Sequence, residues 1–80
     1  MNDPELFNRI GEAMYGGNWK RALADEMGVR QSSVQNWARG SNRIYPDIWE
    51  SIAAVIARRQ MELASLLELA RGKANGVEGL

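Results

Sequence analysis

Residues 20–40, KRALADEMGVRQSSVQNWARG, hold two amphipathic runs separated by a glycine. In the first run Leu23, Ala24 and Met27 fall at the i, i+1, i+4 spacing of a buried helical stripe. Gly28 suits the left-handed backbone of a helix end, and Val29 tucks back after it. Val34, Trp37 and Ala38 form the apolar side of the second run. The pattern predicts two short helices joined by a tight turn and packed on one small core, the layout of a helix-turn-helix.

The flanking segments read as further helices. A first helix is expected over residues 4–15, with Asp3 as cap, Pro4 in the first turn and an apolar stripe of Leu6, Phe7, Ile10, Ala13 and Met14. Gly16 and Gly17 end it, and Asn18 is placed to cap the helix that begins at Trp19. Beyond Gly40 a polar loop leads to Pro46, after which nothing breaks the helical pattern over residues 47–71. Either one long helix or two joined by a bend at residues 57–61 fits that stretch, because neither glycine nor proline marks a junction. The expected architecture is all-α, a compact bundle of four to five helices with a long C-terminal helical segment. Residues 1–71 form the domain, and the glycine-rich residues 72–80 a flexible tail.

Eighty residues suit one domain with a modest core. Ten basic residues balance ten acidic ones, but unevenly: residues 1–17 carry −2, residues 18–45 carry +3 and the remainder −1. The positive excess therefore falls on the paired helices and the loop after them. Without cysteine or histidine, zinc fingers, thiol redox centres and histidine acid–base pairs are excluded. No metal or other cofactor is expected. No apolar stretch approaches the roughly 18–20 residues that span a bilayer, so no membrane role is expected. The start, MNDPELF, lacks a basic-then-apolar signal pattern. A soluble, cytoplasmic protein is the expectation. No Walker-type phosphate loop or catalytic constellation is visible, so an enzyme is not expected.

Residues 19–40 resemble the DNA-binding motif of phage-repressor-like regulators, the Cro/C1 or Xre type. That pattern asks for a small residue in its first helix, glycine at the turn and a β-branched residue midway along the second. Ala24, Gly28 and Val34 occupy those places. The string RQSSVQNWARG is similar to the family's recognition helix in its Gln-Ser start and Arg-Gly end. Tyr15, Gly16 and Trp19 before the motif, and Pro46 to Trp49 after it, resemble small helix-turn-helix proteins of bacterial and prophage genomes. The likeness covers about residues 6–57. One departure is Arg30, where the family often has serine, glycine or aspartate; arginine caps poorly there but could reach a phosphate.

The resemblance implies that the second helix of the motif enters a major groove while the first lies across the backbone. Gln31, Ser32, Gln35, Asn36 and Arg39 are then the base-reading candidates, since their amides, hydroxyl and guanidinium pair with base edges. Asn18, Lys20, Arg21, Arg30, Asn42 and Arg43 are the phosphate candidates. The plainer alternative is a merely solvated polar face. Trp37 and Trp49 lie on apolar stripes and are assigned to the core, whereas Trp19 either packs on the first helix or lies near DNA.

A single short recognition helix makes few contacts, and the family usually binds two half-sites as a two-fold dimer. Leu63, Leu66, Leu67 and Ala70 extend beyond what the core requires and are the candidate dimer interface; alternatively they fold back on the first helix. The expected function is a sequence-specific transcriptional regulator binding double-stranded DNA as a homodimer, a repressor of prophage or bacterial origin. The competing expectation is a protein-interaction module with a protein partner, such as an antitoxin, an anti-repressor or a phage packaging component.

Overall fold

Each helix end is set by a local device. In a computed structural model of the chain, which describes residues 1–76, α1 spans Asp3–Tyr15, a 3-10 turn Gly16–Asn18, α2 Trp19–Met27, α3 Gln31–Arg39 and α4 Pro46–Ala74. The cap of α1 is Asn2, one residue before the Asp3 expected there. Asn2 Oδ1 accepts the Glu5 backbone N–H at 2.8 Å while its Nδ2 donates to Glu5 Oε1 at 2.8 Å. An Asp3 cap would have faced Leu6, which offers no reciprocal partner.

Asn18 makes no side-chain cap to α2, contrary to expectation. It is the last residue of the 3-10 turn, with φ −101° and ψ 33°, rather than the extended backbone a capping side chain requires. Gly28 ends α2 at φ +72°, and the next amide, Val29 N–H, reaches back to Ala24 O at 3.0 Å. Glycine is needed because an L side chain is strained in that conformation. Arg30 adds no side-chain cap to α3; its carbonyl accepts the Ser33 and Val34 amides instead.

The core is built around Phe7. The rings of Trp19, Trp37 and Trp49 meet it edge-on, at centroid distances of 5.5, 6.0 and 6.5 Å. Leu23 and Ala24 of α2, Val34 of α3, Ile44 of the loop and Ile52 and Val55 of α4 complete it. No polar side chain is buried among the described residues. Trp19 packs on α1 because Gly11 leaves it room: a Cβ at Gly11 would stand 2.0 Å from the Trp19 ring. Asn8 ties α1 to α3, its Nδ2 donating to Ala38 O at 2.9 Å. Leu6 and Ala13, expected on the α1 stripe, are exposed.

α4 is one unbroken helix of 29 residues, about 44 Å long. Its helical turns continue through residues 72–74, where a tail had been expected. Arg71 and Lys73 sit in its last turn, favourably placed at the negative end of the dipole. Of the expected tail, residues 77–80 lie outside the described residues. Ile48, Trp49, Ile52, Val55 and Ile56 pack on the core, but beyond residue 57 α4 leaves it. The molecule is accordingly elongated, 55 × 25 × 23 Å. Leu63, Leu66 and Leu67 are 49–56% exposed, so the segment does not fold back on α1. No helix among the described residues is long and apolar enough to cross a membrane.

Glu26 anchors α4 where it departs. Its carboxylate accepts from the Tyr15 hydroxyl and from Arg59 Nη2 at 3.1 Å, with Arg58 Nη2 3.6 Å away. The Arg59 guanidinium also lies over the Tyr15 ring, 5.1 Å from its centre. The Tyr15 hydrogen bond, with the two guanidiniums beside it, holds the Glu26 carboxyl below its ordinary range. Burial, then Glu26, pushes the Tyr15 hydroxyl up.

Candidate nucleic-acid interface

α3 has two unlike sides. Val34 and Trp37 are buried in the core and fix the helix from beneath. Residues 31, 32, 35, 36 and 39 share the other side, at helical spacing. Gln31, Ser32, Gln35 and Arg39 are exposed and Asn36 is half-buried. The Arg39 guanidinium donates to Asn36 Oδ1, so these two are held against each other and Asn36 keeps its amide N–H groups for an acceptor.

The phosphate candidates fall into three places. Asn18, Lys20 and Arg21 line one open groove together with Gln31 of α3. The start of α2 therefore adjoins the first residue of the polar face. Lys20 is half-buried, its Nζ 5.8 Å from the centre of the Trp19 ring. Arg30 is exposed in the turn before α3. Asn42 and Arg43 are exposed beyond its other end, where the Asn42 N–H bonds to Asn36 O at 3.4 Å. The Arg43 guanidinium lies over the Tyr45 ring, 5.0 Å from its centre. The polar face is thus flanked by positive charge at both ends, separated by a helix of about 14 Å.

No family model, curated protein or solved structure matches the chain. The chemistry of the surface must therefore stand on its own residues.

Three groove residues escaped the sequence reading. Asn8, Glu12 and Asp25 line the same groove as Lys20 and Arg21. The two carboxylates place negative charge in the groove beside Lys20 and Arg21. The signal for Asn8 was its place beside Phe7 on a helix that was otherwise read for its apolar stripe. Glu12 and Asp25 carried none, because solvated acids on two separate helices do not reveal that they face a common groove.

Proposed function

We propose that the chain is a sequence-specific DNA-binding regulator of the phage-repressor-like helix-turn-helix type, acting as a repressor by occupying an operator. The observation that carries this reading is the open polar face of α3, backed by Val34 and Trp37 and flanked by Arg30 and Arg43. In it α2 and α3 form the helix-turn-helix, turned by Gly28. The first part of α3 enters the major groove, where Gln31, Ser32, Gln35 and Asn36 meet base edges. Arg39 contributes a guanidinium to a guanine edge or a phosphate. Asn18, Lys20 and Arg21, at the positive end of α2, together with Arg30, Asn42 and Arg43, hold the phosphates. A second copy of the chain supplies the second half-site. No catalytic step and no cofactor enter this scheme.

Binding to a random duplex pool, followed by recovery and sequencing of retained DNA, tests the reading. A two-fold-related site with salt-sensitive affinity is the expected result. Absence of salt-sensitive duplex binding contradicts it.

A second reading is favoured by one observation, the leucine side of α4 that no other described residue covers. In it the protein is an interaction module, of antitoxin, anti-repressor or packaging type. A chain that ignores DNA and is recovered in stoichiometric complex with another protein supports it.

A further inference from the structure

We propose that residues 60–73 of α4 pair antiparallel with the same segment of a second copy of this chain, about a two-fold axis between Leu66 and Leu67. This rests on the reading above and deepens it by giving the direction and register in which the second copy docks. Its test contains no DNA, so its failure is separate from a failure of DNA binding.

Ile52, Val55 and Ile56 face the core, and eleven residues further on stand Leu63, Leu66 and Leu67. Eleven residues differ from three full helical turns by only about 20°. The leucines therefore continue the core-facing side of α4 past the point where the core ends. All three are half or more exposed or nearly so, and no charge interrupts the face from Leu63 through Ala70 except on its far side, at Glu68.

That shared direction decides the pairing mode. A parallel partner lying on the leucine side would have to run its own first half through the space held by α1 and α2. An antiparallel partner meets no such obstacle, because its C-terminal end advances only until it abuts the globule. Length then fixes the register. Beyond the Arg59 anchor the free arm is about 22 Å long, and its midpoint lies next to the middle of the leucine cluster. One register therefore fills both arms and sets Leu63 opposite Ala70 and Leu66 opposite Leu67, large against small at the ends. Glu62 and Lys73 share one flank of α4, so the same register brings each Glu62 beside Lys73 of the partner subunit. A leucine face on another protein would require neither the length match nor this charge match.

One helix face lies near the lower bound of specific interfaces, about 1,000 Å² in total. A concentration-dependent dimer is the consequence. Sedimentation velocity on the full chain without DNA should show the dimer fraction rising with concentration. The double variant Leu66→Lys, Leu67→Lys should sediment as a monomer while keeping its helical circular dichroism, since neither side chain touches the core. The chain has no cysteine, so engineered thiols report the register. Chains carrying Leu63→Cys should cross-link to chains carrying Ala70→Cys. Ala70→Cys chains alone should not, because the two copies of residue 70 stand about 10 Å apart along the axis, beyond disulfide reach. A wild-type chain that stays monomeric at every concentration overturns the proposal, whatever then covers the leucines. So does self-linking of Ala70→Cys chains that equals their linking to Leu63→Cys chains.

Discussion

Gln35 stands mid-way along the open side of α3, and no described residue hydrogen-bonds its side-chain amide. If that amide reads an adenine, Gln35→Ala should lower discrimination at one base pair by about 1–3 kcal/mol and leave other positions unchanged. Competition binding with single-base variants of the selected site checks this. Arg43 differs in kind, because a phosphate contact carries no base identity. Arg43→Ala should weaken all duplexes alike and reduce the slope of log affinity against log salt by about one. Gly11 bears on stability alone. Alanine there gains about 1 kcal/mol of helix propensity but sets its Cβ 2.0–2.6 Å from three Trp19 ring atoms. The rigid, buried ring has little room to shift, so Gly11→Ala should show a net loss towards the upper end of the 1–3 kcal/mol range for overpacked cores. A melting temperature lower by about 4–8 °C per kcal/mol would record it. Gly11 also marks where the sequence could have been read further. Glycine in mid-helix costs stability without reason unless something approaches closely, and here that something is Trp19, whose position had been left open.

Among the elements, the glycine ends of α2 and α3 were the most legible feature, because Gly28 and Gly40 act through their own backbone and need no distant partner. Asn2 and Asp3 are both good caps, and only the reciprocal bonds to Glu5 distinguish them. What could not be read was the anchor of α4. Glu26 and Arg59 are 33 residues apart, and each looks like an ordinary surface charge until the helices are packed. The anchor has a titration signature. Because the folded carboxyl of Glu26 is lowered, its contribution to stability is fully present above the ordinary glutamate value. It is lost as pH falls through the lowered folded one. The difference in melting temperature between wild type and Glu26→Gln should therefore be largest near neutrality and shrink in acid. A difference that is constant with pH would mean that the carboxylate charge plays no part.

The whole molecule is a small globule with a straight helical arm. The all-helical class followed from the apolar spacing, but one helix or two over residues 47–71 stayed open, because the lack of a breaker at residues 57–61 permits either and only the packed structure shows a single α4. The reach of the arm past the core was not legible, because one apolar stripe serves both the buried half and the exposed half of α4. If two arms overlap as proposed, about 21 Å of paired helix separates the two globules. A recovered operator should then place its half-sites more than one helical turn apart, which footprinting of the selected site would measure. The most direct measurement remains equilibrium binding of the purified chain to its best selected duplex, titrated at several salt concentrations alongside Gln35→Ala. Affinity should fall steeply with salt, and Gln35→Ala should still bind but lose preference at one base position. Binding that is absent, or that is indifferent to both salt and sequence, would contradict the regulator reading.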